Sequence, residues 1–241
     1  MSWNGKDELK LSIQERGFTL DVDGRTVPGV YWTPAEGESN RLVLLGHGGT
    51  THKKVEYIEQ IAMLLVGKGI SAMAIDGPGH GERAVTQMAP EDMAADPEAF
   101  PRMWHEGGGT NGVIADWAAA LDFIEAEEGA RPTGWWGLSM GTMMGLPVTA
   151  SDKRIKVALL GLMGNWGPNA DDLVRLAPQV NCPVRFLLQW DDEIVPLDSG
   201  LELFGKLGTK DKTLHVNPGI HTAIPPFEFA ETADYLDQRL S

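Results

Sequence analysis

Ser139 is the residue with the clearest capacity for chemistry, because it stands at the centre of the sequence Gly-Leu-Ser-Met-Gly. The apolar residues 133–137 just before it read as a strand, and a helix is expected to begin near Ser139. A sharp turn from strand to helix exposes the serine hydroxyl, and Gly137 and Gly141 allow the two elements to approach each other. The pattern predicts a nucleophilic serine in a strained backbone conformation, and the alternative is a serine that only caps the helix.

A serine nucleophile needs a general base, and that base needs an acid to orient it. In this arrangement the chain order is serine, acid, histidine, so only His215 and His221 of the six histidines come late enough. His215 lies inside a predicted strand, where it is explained by packing, whereas His221 follows that strand in a loop. We therefore predict His221 as the base. The acid is one of two neighbours that end another predicted strand, Asp191 or Asp192.

A glycine-rich turn, residues 46–50, follows the predicted strand 41–45 and reads Gly-His-Gly-Gly-Thr. Such a turn aims backbone N–H groups at a developing oxyanion, and we expect those of Gly49 and Met140 to do so. A phosphate-binding loop is the competing interpretation, but neither Gly-Lys-Ser/Thr nor the G-x-G-x-x-G spacing occurs here. His47 and Thr50 are expected to brace the turn.

The elements that must position these residues alternate between short apolar segments and amphipathic helices. This alternation predicts an α/β fold, with a mostly parallel sheet covered by helices on both faces and a ligand site beyond the carboxyl ends of the strands. The predicted strands are residues 18–22, 30–33, 41–45, 70–75, 133–137, 155–162, 184–190 and 213–216. The first two read as an antiparallel pair with its turn at Asp23-Gly24. The predicted helices lie near residues 58–65, 113–124 (with Asn111 as cap), 171–176, 197–207 and 229–240, and a further helix is expected to begin near Ser139.

Composition excludes several classes of function. The 241 residues include 20 basic and 34 acidic side chains, and the net charge of −14 disfavours nucleic acids and anionic membranes as partners. The longest apolar run, residues 61–66, is far shorter than the ~20 residues that a bilayer requires. The single cysteine, Cys182, permits no internal disulfide, and the N-terminal residues lack a signal-peptide pattern, so we expect a cytoplasmic protein. We expect one domain over residues 1–241, and the sequence permits a homodimer.

Five segments, in this order along the chain, resemble the α/β-hydrolase superfamily, in its serine carboxylesterase and dienelactone-hydrolase-like branch. They are residues 47–50, 76–82 (Asp-Gly-Pro-Gly-His-Gly-Glu), 137–141, 192–196 (Asp-Glu-Ile-Val-Pro) and 219–222. The resemblance implies that Asp192 rather than Asp191 is the catalytic acid, and that Asp76 and His80 brace a loop. Dienelactone hydrolases use a cysteine nucleophile, so Ser139 favours an ordinary ester as substrate.

The resemblance also implies which segments surround such a site. Only a minimal cap is expected after the sixth strand, whereas residues 84–110 form a larger insertion. We interpret this insertion as a lid with a glycine hinge, and the alternative is a packed surface segment. Trp104, Met163 and Trp166 are the side chains expected to contact substrate.

The predicted activity is that of a serine hydrolase that cleaves small-molecule carboxylic esters of small or medium acyl chain through an acyl-enzyme on Ser139. The mechanism requires no metal and no organic cofactor, and none is expected. The same three side chains would also serve an acyltransferase, perhydrolase, lactonase or peptidase, since the fold hosts all of these. A non-catalytic binding protein on this scaffold is the remaining alternative.

Overall fold

The protein is described by a computed structural model over residues 13–37, 39–84 and 95–241. Within these ranges, eight strands form one sheet in the order β1-β2-β4-β3-β5-β6-β7-β8. The strands are β1 (Ile13–Val22), β2 (Arg25–Pro34), β3 (Leu42–Gly46), β4 (Ser71–Ile75), β5 (Thr133–Gly137), β6 (Ile155–Gly161), β7 (Val184–Gln189) and β8 (Lys212–Asn217). The pairs β1–β2 and β2–β4 are antiparallel, and every other pair is parallel.

The antiparallel pair at the start of the chain was predicted from its turn, and the structure confirms it. Asp23 and Gly24 connect β1 to β2 with φ values of 52° and 77°. A two-residue hairpin loop of this kind needs positive φ at both positions, and Asp-Gly adopts it readily. Both strands are longer than expected, since β1 begins at Ile13 and β2 at Arg25, and the two strands pair over all ten residues.

Helices cover both faces of the sheet, as predicted. Among the described residues they are α1 (Glu56–Val66), α2 (Ala99–Glu106), α3 (Gly109–Glu128), α4 (Met140–Ser151), α5 (Ala170–Leu176), α6 (Leu197–Lys206) and α7 (Pro226–Leu240). Helices α1 and α7 pack on one face, where Ile61 and Leu236 are fully buried. Helices α2 to α6 pack on the other face, where Trp117 and Met144 join the larger of the two apolar clusters. Strands β3, β4 and β5 are buried along their whole length because both faces are covered.

The start of α3 differs from the expectation. Its cap is Gly108, whose φ is 100°, and Asn111 lies inside the first turn. The prediction of Asn111 as cap is therefore wrong. Gly108 and Gly109, both at positive φ, allow the chain to leave α2 and enter α3 within two residues, a path that a residue with a Cβ rarely follows.

The segment after β6, where only a minimal cap was expected, is short. After β6, the described structure has only α5 and a 3₁₀ turn, Ala177–Gln179. The insertion at residues 84–110 contains α2, but residues 85–94 lie outside the described residues, so its interpretation as a lid stays a prediction. In the described ranges, no helix combines the length and hydrophobicity that crossing a membrane demands.

Candidate active site

Ser139 lies at the turn between β5 and α4, and its backbone is in an unfavourable conformation, with φ 56° and ψ −121°. The turn brings two chain segments into close contact. A Cβ on Gly141 would lie 2.3 Å from the carbonyl oxygen of Gly46, and one on Gly137 would lie 2.7 Å from the carbonyl oxygen of Gly141. Real Cβ atoms do not approach backbone this closely, so both positions require glycine. The strain is thus imposed by packing on both sides of Ser139.

Replacing Gly141 with alanine is expected to destabilise the fold by about 3 kcal/mol or more, because neither backbone segment can yield to the added methyl group. The matched control is Gly205→Ala in α6, where an added Cβ meets no atom within 4 Å. That variant is expected to gain up to about 1 kcal/mol from its higher helix propensity. Urea unfolding followed by circular dichroism measures both. Equal midpoints for Gly141→Ala and the parent protein would contradict the close approach.

His221 is the histidine that meets Ser139. Its Nε2 lies 2.9 Å from the Ser139 hydroxyl oxygen, and its side chain comes from the loop after β8. The residue is only 5% exposed. The other late histidine, His215, instead places its Nδ1 3.4 Å from Oε1 of Glu228. The structure thus brings together the predicted nucleophile and the predicted base.

Asp192 is the carboxylate on the far side of the imidazole, with its Oδ2 2.7 Å from Nδ1 of His221. Its Oδ1 accepts hydrogen bonds from the N–H groups of Ile194 and Val195, at 2.9 and 2.8 Å. Burial raises the pKa of Asp192, but the bonds to His221 and to these N–H groups outweigh it and hold the pKa below its usual value. Asp191 is exposed and accepts a bond from the N–H of Gly219.

Two further side chains join the loop of Asp192 to the loop of His221, and neither was predicted from the sequence. Oε2 of Glu193 accepts a 2.9 Å hydrogen bond from the backbone N–H of His221. The amide Nε2 of Gln189 donates to the carbonyl oxygens of Ile220 and Ala223. In the sequence, both residues belong to a mostly polar run at the end of β7. A single sequence does not distinguish such a run from solvated surface.

The glycine-rich turn after β3 offers one N–H group to the site. The N–H of Gly48 is already used, since it donates to the Tyr57 hydroxyl at 2.6 Å. In the described part of the chain, the N–H groups of Gly49 and Met140 have no hydrogen-bond acceptor. Gly49 lines the cavity beside Ser139, and Met140 is the first residue of α4. Both groups therefore remain available to an oxyanion.

Two buried histidines hold this turn in place. Nε2 of His47 accepts a 2.9 Å bond from the N–H of Gly77, and Nε2 of His80 accepts a 3.0 Å bond from the N–H of Thr50. Both imidazoles must be neutral to accept these bonds. Burial lowers the pKa of His47 to about 3, and burial also lowers the pKa of His80. The turn is thus joined to the 76–82 segment by two uncharged rings.

Buried neutral His47 is expected to make the fold sensitive to acid. The unfolded chain binds a proton below the ordinary pKa of 6.5, whereas folded His47 resists protonation down to about 3, so stability falls as pH drops through this interval. Between about pH 7 and about pH 5 this residue is expected to account for about 2 kcal/mol of lost stability. The free energy of unfolding of His47→Gln, measured by urea titration at the two pH values, should therefore fall by correspondingly less than that of the parent protein. His52→Gln, at an exposed position, should show the same fall as the parent.

An apolar cavity of about 260 Å³ opens beside Ser139 and His221. Its other lining residues are Gly48, Gly49, Thr51, Tyr57, Trp136, Leu138, Leu162, Thr222, Ile224 and Phe229. The three side chains expected to contact substrate are not among them. Trp104 and Met163 are buried in the apolar cluster on the α2–α6 face, and Trp166 is 41% exposed. Hydrophobicity alone did not distinguish the apolar side chains of the core from those of the cavity wall, because the residues that line this cavity come from distant parts of the chain.

The relatives of the chain agree with this architecture. Residues 37–165 match the family described as serine aminopeptidase, S33, over just over half of the 241 residues. A cold-adapted esterase from an Arctic intertidal metagenomic library, in a PEG-bound structure, is 80% identical, with a TM-score of 0.90 and 100% of both chains covered. The chain belongs to the serine aminopeptidase S33 family of α/β hydrolases. Among curated proteins, none matches it.

Two further structures resemble this α/β hydrolase. A zinc-bound structure, again of a cold-adapted esterase from an Arctic intertidal metagenomic library, is 75% identical, with a TM-score of 0.84 over 100% of both chains. The dienelactone hydrolase of Anabaena variabilis is 17% identical, with a TM-score of 0.68 over 94% of this chain and 96% of its own. The last similarity concerns the fold alone.

Proposed function

We propose that this α/β hydrolase is a carboxylic ester hydrolase that works through an acyl-enzyme on Ser139. The observation that carries the proposal is the unbroken chain of contacts from Asp192 through His221 to Ser139, at the mouth of an apolar cavity. The 80% identity to an esterase over the full length supports the same activity.

In the first half of the reaction, the Ser139 oxygen attacks the ester carbonyl carbon while Nε2 of His221 removes its proton. Asp192 keeps the remaining proton on Nδ1 and stabilises the imidazolium that forms. The carbonyl oxygen becomes an oxyanion, which the N–H groups of Gly49 and Met140 stabilise. His221 then donates its Nε2 proton to the departing alkoxide, and an acyl-enzyme and an alcohol result.

In the second half, water replaces the alcohol. His221 removes a proton from the water as its oxygen attacks the acyl carbon, and the second tetrahedral oxyanion occupies the same position as the first. When this intermediate collapses, the proton on His221 returns to the Ser139 oxygen and the carboxylic acid leaves. No other reactant is needed, since acid, base and nucleophile are restored after each cycle.

The cavity beside Ser139 indicates the size of the acyl group. Its volume of about 260 Å³ falls below the roughly 300–1,000 Å³ that is typical of drug-sized ligands. Its walls are apolar, with Tyr57, Trp136 and Phe229 as the aromatic residues among them. We therefore infer esters of small or medium acyl chain as substrates.

Peptide cleavage is the second candidate, because the family that matches residues 37–165 is described by an aminopeptidase activity. An aminopeptidase must bind the positively charged amino terminus of its substrate, which requires a carboxylate or equivalent acceptors. The twelve residues that line the cavity include no Asp and no Glu. The uncharged cavity wall therefore favours an ester.

Substrate profiling tests the proposal. The protein is expected to hydrolyse p-nitrophenyl acetate and butyrate with kcat/KM that falls steeply for longer acyl chains, and to leave alanine p-nitroanilide uncleaved. A fluorophosphonate probe should label the folded protein at Ser139 with one label per chain. Preferred cleavage of the anilide would select the peptidase, and absence of labelling would select a binding protein.

The cellular setting forms part of the proposal. A chain whose single cysteine, Cys182, is half-buried fits a reducing cytoplasm. The proposed partner is a small-molecule ester, and a homodimer, if formed, is measurable by light scattering after size exclusion.

A further inference from the structure

Three side chains with metal-binding atoms meet on the α7 side of the sheet. His215 comes from β8, and Glu228 and Glu231 come from α7. Each offers one potential ligand atom, and these atoms lie within 4.8 Å of one another. The two glutamates are three residues apart in a helix, so they share one face of it.

The distance between the ligand atoms of His215 and Glu228 fits two ligands of one cation. Nδ1 of His215 lies 3.4 Å from Oε1 of Glu228, which is longer than the usual N–H···O distance. Two ligands at about 2.1 Å from a tetrahedral zinc ion are separated by about 3.4 Å, since the edge of a tetrahedron is about 1.6 times its centre-to-corner distance. The two atoms thus stand at the separation of two ligands of one ion.

Glu228 is the member whose environment is incomplete. Its side chain is only 2% exposed, and its Oε1 accepts a 2.9 Å bond from Nδ2 of Asn217. Its Oε2 is also buried and has no hydrogen-bond partner in the described structure. A buried carboxylate without its full set of partners is costly, and a bound cation would remove that cost. The bond from Asn217 would orient the carboxylate, as outer-shell partners of metal ligands do.

Glu231 supplies a second carboxylate at the exposed side of the cluster. Over the described residues, its carboxylate takes part in no hydrogen bond or ion pair. Arg185 contacts this residue through the main chain, because its Nη1 donates to the carbonyl oxygen of Glu231 at 3.2 Å. The Glu231 side chain is therefore available to a metal ion.

We propose that His215, Glu228 and Glu231 bind a divalent transition metal ion of the Zn²⁺ class. One imidazole nitrogen and two carboxylates are a donor set that zinc accepts, with a fourth position open to water. The ion would join β8 to α7. Because the chain between them, residues 218–225, carries His221, the ion would restrain the segment that positions the catalytic base.

From the sequence, no metal was expected and His215 was interpreted as a packed strand residue. The ligands belong to two elements, 13 residues apart between His215 and Glu228, and this spacing matches no compact metal motif. Only the packing of α7 against β8 brings them together.

Calorimetric titration of the chelator-treated full chain with ZnCl2 tests the proposal. We expect one bound ion per chain and a rise in Tm at excess ZnCl2. His215→Gln and Glu231→Gln should each weaken binding by about 100-fold. The matched control is Glu127→Gln, which removes the same charge at an exposed helical position outside the cluster.

Amide hydrogen exchange locates the ion independently of activity. Zinc is expected to slow exchange over residues 212–231 in the parent protein and in Glu127→Gln, and to leave it unchanged in Glu231→Gln. Equal zinc affinity in the parent and in both cluster variants would overturn the proposal. So would protection confined to the loop of His221 that persists in Glu231→Gln, because it would assign the ion to the catalytic base.

Discussion

Replacing Ser139 with alanine is expected to lower kcat on p-nitrophenyl butyrate by on the order of 10⁶-fold, since the nucleophile and the base act as a unit. Alanine retains the Cβ, so the backbone at φ 56° is as strained as before and stability should not change. Ser151→Ala, at the exposed end of α4, is the control and should keep full activity. Activity near that of the parent protein would remove Ser139 from the mechanism.

A second substitution at the same position separates catalysis from strain. Ser139→Gly should be as inactive as Ser139→Ala, but its unfolding free energy should rise by about 1 kcal/mol or more, because glycine adopts this conformation without a Cβ clash. A stability equal to that of Ser139→Ala would mean that the turn stores no strain.

Replacing Asp192 with asparagine is expected to lower kcat by about 10⁴-fold with little change in KM. The amide is nearly isosteric, but its NH2 group would face Nδ1 of His221 and favour the tautomer that carries its proton on Nε2. That nitrogen then cannot accept the Ser139 proton. The negative charge that stabilises the imidazolium is lost as well.

The matched control for Asp192→Asn is the same change at the neighbouring position. Asp191→Asn alters an exposed carboxylate that bonds to the N–H of Gly219, so it should leave kcat within about twofold, as surface changes usually do. If Asp191→Asn caused the larger loss, the assignment of the acid would be reversed.

Much of the fold was accessible from local patterns. Apolar strands and amphipathic helices alternate along the chain, and the eight predicted strands are all present. The Asp-Gly turn predicted the first hairpin, because its conformational preference depends on adjacent residues only. The start of α3 was misplaced, since three consecutive glycines at 107–109 provide no side chain from which a cap can be inferred.

Some residues of the candidate site were predicted from the sequence and others were not. Ser139 and His221 were predicted because each follows a strand, and the carboxyl ends of parallel strands meet at one edge of the sheet. The same reasoning left the choice between two neighbouring aspartates open, and only the family resemblance selected Asp192. Glu193 and Gln189, which join the loops of Asp192 and His221, were not predicted, because nothing in a run of polar residues specifies which carbonyl or N–H group it will meet.

The amino-acid sequence alone determined which segments are helices or strands, the order of these elements and the residues at the strand ends. Hydrophobic periodicity and turn preferences depend only on residues that are close together in the chain. The wall of the cavity and the cluster of His215, Glu228 and Glu231 arise only when helices dock on the sheet. Tyr57 of α1 and Phe229 of α7 line the cavity, whereas Trp104, equally apolar, is buried in the core. Which apolar side chain faces substrate depends on the packing of elements far apart in sequence. Burial in the core and burial against a substrate both remove apolar surface from water, so hydrophobicity does not distinguish the two positions.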